Sequence, residues 1–232
     1  MGGLGGSASR AALKRVAKLQ RKKYREAERL FLAEGPSLVA EARERPRHLF
    51  TEPEDVRRLS TLKTPTGPVG VFSFLDVSAK ELLEARERVV LLHGVQDPGN
   101  VGTVIRAVHA FEAGVALSAG CADLYNPKTV RATMGSIFHV PVARELDTLE
   151  FLDESRGAGF APVAAVPDGQ DTPRTMSGDG LVLVVGSEGR GLPKEVVVAC
   201  DRSVTIPSCA ASLNAAMAAS ILLYEAYMRV LT

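Results

Sequence analysis

The segment Val204-Thr-Ile-Pro-Ser-Cys-Ala-Ala-Ser-Leu-Asn-Ala-Ala-Met-Ala-Ala-Ser-Ile-Leu-Leu-Tyr-Glu225 constrains the fold more than any other. It reads as a short strand, a proline-bounded turn and a helix, expected over about 211–230, that is apolar on nearly every side. A helix without a polar face has to be covered all round, by its own domain or by a second subunit. Two residues at its mouth do not suit such an interior. Ser212 has an ordinary use as N-cap, its hydroxyl accepting from a free backbone N–H. Asn214, expected one turn into the helix, has no such use. A polar pair at the lip of a buried helix marks this end as the functional one.

Upstream, from about residue 88, the pattern is that of a mostly parallel sheet flanked by helices. Strands are expected at Val89–His93, Gly114–Ser118, Phe138–Val142, Phe160–Val166, Leu181–Val185 and Ser203–Ile206, with helices near 100–112, 127–135, 147–157 and 193–199. Ligands of open α/β sheets bind beyond the carboxyl ends of the strands. Three of those ends carry polar residues for which a core has no use.

The first is Gln96-Asp-Pro-Gly-Asn-Val-Gly-Thr-Val-Ile-Arg106. Asn100 opens the helix and can serve as its N-cap. Val101, Val104, Ile105 and Val108 form the buried stripe, and Arg106 lies roughly 160° from its centre at 100° per residue. Arg106 therefore points away from its own sheet, where it is free to hold a phosphate or carboxylate. The second end is Val185-Gly-Ser-Glu-Gly-Arg-Gly-Leu-Pro193, whose three glycines imply a very close backbone approach. Their order is not that of a dinucleotide fingerprint, no Gly-Lys-Ser/Thr is present, and Glu188 is a poor lining for a pyrophosphate. The third end is the Val204–Glu225 segment. Asn100, Arg106, Glu188, Ser212 and Asn214 thus converge on one edge of one sheet.

The first part of the chain differs in character. Between Arg10 and Arg25 stand eight basic residues and no acid, although the whole chain carries a net charge of only +1. Leu13, Val16, Gln20, Tyr24, Ala27 and Phe31 recur near helical spacing, which predicts one amphipathic helix over about 10–33 with a basic outer face. Such a run is ordinarily a solvated face, but eight like charges repel one another and a polyanion relieves that repulsion. Lys14, Arg15, Lys18, Arg21, Lys22 and Lys23 are therefore candidate nucleic-acid contacts. A strand-like Phe31-Leu-Ala-Glu, a Gly-Pro turn and a helix follow, then strands at His48–Thr51 and Val69–Phe74 around a short helix from Glu54 to Leu59. The expected division is a first domain 1–76 with a flexible start at 1–9, a linker 77–87, and a second domain 88–232. The glycine-rich start lacks the apolar run of a signal peptide. The longest apolar stretch, Ala215 to Tyr224, is broken by Ser220 and falls short of the ~20 residues that a bilayer requires, so no membrane partner is expected. Cys121, Cys200 and Cys209 have neither zinc nor disulfide spacing; no metal is expected, and a reducing cytoplasm fits best.

Together, the three strand-end segments resemble the SpoU (TrmH) class of the SPOUT methyltransferase superfamily. The family's first motif is matched by Asn100 through Arg106, its second by Gly186-Ser-Glu-Gly-Arg-Gly-Leu, and its third by Ile206-Pro, Ser212-Leu-Asn and the apolar run into Leu222-Leu-Tyr-Glu225. Asp123 through Gly135 is similar as well. The resemblance spans about 88–232, while the N-terminal part, especially Phe31-Leu-Ala-Glu-Gly-Pro, is similar to the family's ribosomal-protein-like RNA-binding domain. It implies an α/β catalytic domain whose C-terminal chain threads a loop into a deep trefoil knot, a rare exception to unknotted topology. S-adenosyl-L-methionine, the methyl donor, would lie in that knot against Gly186, Ile206 and Leu213. The implied reaction is methyl transfer to a ribose 2′-hydroxyl of RNA at sites built on a homodimer interface, and the added N-terminal domain with its basic helix points to ribosomal rather than transfer RNA. Residues at the positions of Asn100, Arg106, Glu188, Ser212 and Asn214 form the family's catalytic constellation.

A ribose hydroxyl loses its proton as it attacks a sulfonium methyl, so a base or charge stabiliser has to stand nearby. His93 and His109 lie outside the three segments and read as structural. Arg106 is the family's proposed base, a demanding role for a guanidinium; the alternative is a cation that organises the phosphate and the forming alkoxide. One departure is notable. The link from Ile206 to Ser212 is shorter than in relatives and lacks their methionine and glycine, and Cys209 within it is expected to be a small packing residue. Two other readings compete: an RNA-binding homologue that no longer holds the cofactor, and a methyltransferase of transfer RNA. A nicotinamide dehydrogenase rests on the α/β alternation alone and has the wrong glycine order.

Overall fold

The computed structural model describes residues 9–176, 180–210 and 212–231, so the start expected to be flexible lies, apart from Ser9, outside the described residues. Ser9 caps α1 (Arg10–Ala17), its Oγ accepting from the Ala12 N–H at 3.2 Å. The single helix expected over 10–33 is not formed. α1 passes into a 3-10 turn (Lys18–Gln20), the backbone extends at Arg21, and α2 (Lys22–Glu28) ends on Arg29 in the left-handed region at φ 51°. The break carries Leu19 into the core beside Leu13 and Val16, and it buries Arg25.

β1 (Leu30–Glu34), β2 (His48–Phe50) and β3 (Val69–Ser73) form an antiparallel sheet in the order β1-β3-β2, with α3 (Pro36–Ala40) and α4 (Pro53–Leu59) in the connections. The alternation of side chains along β1 explains how this sheet is seated. Leu32 joins Leu13, Val56, Leu59, Val69 and Val71 in a small core. Phe31 and Ala33 face the other way, into the main core, where Phe31 meets Tyr125 with ring centroids 4.8 Å apart.

The second sheet has six parallel strands: β4 (Arg88–His93), β5 (Gly114–Ser118), β6 (Val142–Leu146), β7 (Ala161–Ala165), β8 (Leu181–Gly186) and β9 (Arg202–Val204), in the order β6-β5-β4-β8-β7-β9. This is the expected α/β architecture. Its central strands are apolar on both faces, as a sheet covered on both sides demands. Val90, Leu92, Leu183 and Val185 pack in the core with α6 (Pro98–Ala110), α7 (Pro127–Ala132) and α10 (Ala215–Met228). Val89, Leu91, Val182 and Val184 pack with α5 (Ala79–Ala85), α8 (Thr148–Gly157) and α9 (Lys194–Val198). α5 lies within the stretch expected as a linker, 77–87; a capping box between Ser78 and Glu81 opens it, and Leu82 and Leu83 bury it. The strand expected at Phe138–Val142 is a correction. Gly135, left-handed at φ 96°, turns the chain into a 3-10 segment (Ser136–Phe138), Phe138 packs on Phe72, and β6 begins only at Val142.

A charged seam holds the small sheet to the large one. Buried Arg25 pairs with Asp123 and donates to the Leu19 carbonyl at 2.8 Å. Lys22 pairs with Glu145 at 2.7 Å, and Arg144 with Glu26 at 2.8 Å. Tyr125 donates its hydroxyl proton to Asp76 at 2.7 Å, and Arg144 lies 3.3 Å from the same carboxylate. Burial alone would raise the Asp76 pKa, but the Tyr125 hydrogen bond and the Arg144 and Arg29 guanidinium groups outweigh it and hold it below its usual value.

Candidate active site

The three segments leave the carboxyl ends of β4, β8 and β9. His93 and Gly186 are direct partners in the β4–β8 register, so the first two segments start side by side. α6 is capped by Asp97 and not by Asn100: Asp97 Oδ1 accepts from the Asn100 N–H at 2.9 Å. Pro98 follows in the first turn, where no N–H is needed. The Asn100 side chain is thereby released, and its Nδ2 donates to Glu188 Oε1. α10 repeats the pattern. Its cap is Asn214 rather than Ser212, with Oδ1 accepting from the N–H groups of Ala216 and Met217 at 2.9 and 3.1 Å. Asn214 Nδ2 then donates to Asn100 Oδ1 at 3.0 Å.

This chain of bonds has one direction. The Asn214 oxygen is taken by the helix, so its NH₂ has to face Asn100; the Asn100 oxygen accepts, so the Asn100 NH₂ has to face Glu188. An ionised carboxylate only accepts, and exposed Glu188 keeps lone pairs for a hydroxyl or a cation.

Arg106 and Ser212 stand apart from the trio. Arg106 is exposed on α6, as its angle on the helix predicts, and makes no hydrogen bond or ion pair among the described residues; the same is true of the Ser212 side chain. A Cβ on Gly186 would lie 2.3 Å from the Gly191 backbone, so the close approach implied by the glycines is to the loop's own return. Gly191 N–H donates to the Ser187 carbonyl at 2.8 Å and closes that turn. Ile206 and Leu213 are half-buried, Ile206 against the main core.

Cys209 corrects the sequence reading. It is exposed together with Pro207, Ser208 and Ala210, because so short a link between two anchored ends has no slack to fold back on the core. Burial raises the Cys121 thiol and pushes that of Cys200 up to about 12, so neither is a thiolate at neutral pH. His93 Nδ1 lies 2.8 Å from Thr148 Oγ1, and the His109 ring stacks on His139 at 4.7 Å. Among the described residues there is no group of three or more His, Cys, Asp or Glu that could hold a metal ion.

The candidate nucleic-acid residues divide. Arg15 pairs with Glu28 and Lys22 with Glu145, while Lys18 lies over the Tyr24 ring at 5.4 Å. Lys14, Arg21 and Lys23 are exposed without a hydrogen bond or ion pair among the described residues. α10 also divides: Ala215, Ala216, Ala219, Leu222, Leu223 and Ala226 are buried, whereas Met217, Ile221, Tyr224 and Met228 form an exposed apolar stripe. Sequence reasoning overlooked Asp97, although an Asp-Pro with a periodic apolar run behind it is a helix-start signal.

Residues 87–224 match the SpoU rRNA Methylase family, and residues 10–88 match the MRM3-like substrate binding domain. The chain belongs to the SpoU rRNA methylase family. The 23S rRNA (guanosine(2553)-2′-O)-methyltransferase RlmP of Bacillus subtilis (strain 168) is 32% identical to it, over 94% of this chain and 97% of its own. The AdoMet-bound rRNA methyltransferase of Sinorhizobium meliloti is 30% identical, with a TM-score of 0.87 over 97% of each chain. The SpoU methyltransferase AviRb of Streptomyces viridochromogenes, solved in complex with AdoMet, is 25% identical with a TM-score of 0.83, over 97% of this chain and 99% of its own. In this SpoU-family chain the hydrogen-bonded trio takes one member from each of the three motif segments.

Proposed function

We propose that the protein is an S-adenosyl-L-methionine-dependent RNA ribose 2′-O-methyltransferase acting on ribosomal RNA. One observation carries this reading: Glu188, Asn100 and Asn214 form a directed hydrogen-bond chain across the three motif segments of a SpoU-family fold. The name of RlmP supports the 2′-hydroxyl and the ribosomal substrate, and the AdoMet-bound neighbours support the donor. Gly186, Ile206 and Leu213 fit that donor. They offer glycine backbone and half-exposed aliphatic surface with no cation among them, which suits an uncharged adenosine better than a pyrophosphate. When bound, the donor supplies an electrophilic methyl on a sulfonium.

The chain's own residues do the rest. Glu188, oriented through Asn100, accepts from the attacking ribose or holds the cation that faces it. Arg106 stabilises the forming alkoxide and the neighbouring phosphate as a charged donor. Ser212, at the mouth of α10, positions the substrate. Arg106 makes no hydrogen bond to the trio of its own subunit, and Met217, Ile221 and Tyr224 of α10 are exposed; a homodimer would answer both by covering these side chains and bringing Arg106 to a shared site. Residues 1–76 would be the RNA-binding domain, with Lys14, Lys18, Arg21 and Lys23 as the cations left over from internal pairing, 77–87 the connection, and 88–232 the catalytic domain. The setting is cytoplasmic, and no helix among the described residues is long and apolar enough to cross a membrane.

The test is incubation with labelled methyl donor and separate pools of ribosomal and transfer RNA. Label is expected in alkali-resistant dinucleotides from ribosomal RNA. Label confined to bases overturns the reaction, and label confined to transfer RNA overturns the substrate. The exposed, shortened Pro207–Ala210 link favours the competing reading of a cofactor-free RNA-binding protein, and calorimetry without S-adenosylmethionine binding would establish it.

A further inference from the structure

A fourth carboxyl-end loop, Pro167 to Met176 between β7 and β8, carries none of the residues singled out in the sequence. It is bound along the outer edge of β9. Asp171 N–H donates to the Ser203 carbonyl at 2.9 Å, Thr205 N–H donates back to the Asp171 carbonyl at 2.9 Å, and Thr205 Oγ1 donates to the Pro167 carbonyl at 2.7 Å. Arg202 pairs with Asp171 at 2.6 Å. β9 thus has β7 on one side and this loop on the other. Gly169 makes the closest pass. A Cβ there would stand 2.3 Å from the Val204 carbonyl carbon and 2.6 Å from the Thr205 nitrogen, backbone atoms that cannot swing aside. Farther along, the 3-10 turn Pro173–Thr175 contacts α10, and Met176 is buried in the core that holds Ala215, Ala216 and Ala219.

One loop therefore holds the segment from Thr205 to Asn214 where it leaves β9, and packs on α10, the helix into which that segment runs. The middle of that segment is exposed from Pro207 to Ala210 and carries a local bond from Ala210 N–H to Ser208 Oγ at 3.0 Å. We infer that Gly169 and the Asp171–Arg202 pair are positioning residues for the methyl donor, holding Ile206 and Leu213 in the arrangement that receives it. This rests on the reading of Ile206 and Leu213 as donor contacts given above.

Preorganising a binding loop raises affinity by removing the ordering it would otherwise undergo on binding. Arg202 is half exposed, so loss of its pair is expected to weaken donor binding only about threefold. The steric conflict of Gly169→Ala is larger, and about tenfold or more is expected. Full-length wild type, Gly169→Ala, Arg202→Gln and Arg202→Lys are compared by calorimetry with S-adenosylmethionine and by steady-state methyl transfer. KM for the donor should rise with Kd while kcat and KM for RNA hold steady. The unfolding midpoint of donor-free Arg202→Gln should stay at that of wild type, and Arg202→Lys should recover most of the affinity. Wild type that fails to bind the donor overturns the cofactor reading itself. Wild-type binding matched by Arg202→Gln overturns the positioning role, whether or not Gly169→Ala folds.

Discussion

Asn214 does two jobs with two atoms, and they can be separated. Its oxygen caps α10 and its nitrogen donates to Asn100. Asn214→Ala removes both. The cap contributes ~1 kcal/mol and the exposed hydrogen bond at most about 1 kcal/mol more. A loss of ~2 kcal/mol in a chain of this size lowers the thermal midpoint by ~4–8 °C. Asn214→Asp keeps the cap, and its charge is favourable at a helix N-terminus, so the midpoint should stay within ~2 °C. That variant nevertheless sets a carboxylate against the Asn100 oxygen. Asn100 then has to turn its amide and withdraw its donor from Glu188. Misplacement of a reacting group by about 1 Å costs ~10²-fold in rate, so kcat/KM for methyl transfer is expected to fall by about that factor. Scanning calorimetry and single-turnover methyl transfer read the two effects. An active Asn214→Asp enzyme refutes the directed chain, and an Asn214→Ala protein that melts with wild type refutes the cap.

Arg106→Ala should abolish transfer while calorimetric binding of the methyl donor survives; retained turnover would falsify its catalytic assignment. Replacing Lys14, Lys18 and Lys23 with glutamine should weaken RNA binding and flatten its salt dependence, by a slope of ~0.7–0.9 for each phosphate that is no longer neutralised. Lys22→Gln should change the slope little, because Glu145 already occupies that ammonium. Arg25→Ala strands the Asp123 carboxylate in the seam between the sheets, and about 3 kcal/mol of stability should be lost in chemical denaturation; a change below ~1 kcal/mol would mean that water reaches the pair. Met217→Asp with Tyr224→Asp on the exposed stripe should shift sedimentation from dimer to monomer, and an unmoved dimer would place the interface elsewhere.

The parallel sheet was legible because its strands are short apolar runs between turn residues, and five of the six lie within a residue or two of their expected places. The sixth, Phe138–Val142, has the composition of a strand, but Gly135 and the packing of Phe138 on Phe72 decide otherwise. The polar residues of the motif segments were legible too, while their local roles were transposed. Asp97 and Asn100 both suit the start of α6, and Ser212 and Asn214 both suit the start of α10. Propensity does not choose between such neighbours; the hydrogen bond across to the other segment does. The internal pairing of part of the basic run was not legible for a similar reason. Its neutralising acids, Asp123 for Arg25 and Glu145 for Lys22, lie 98 and 123 residues away in sequence. Helical spacing carried through Phe31 concealed the break at Arg21, since Phe31 keeps the period while belonging to β1.

The trio joins residues 100, 188 and 214, and the last of these lies beyond β9 and the loop that brackets it. During synthesis the exposed lysines of α1 and α2 emerge before the cap of α10. A growing chain thus presents its basic face long before Asn100 and Glu188 can be brought into register. Attraction to a polyanion and the ability to act on it are separated in time. On the proposed reading, a chain interrupted before Asn214 would keep the first and never acquire the second.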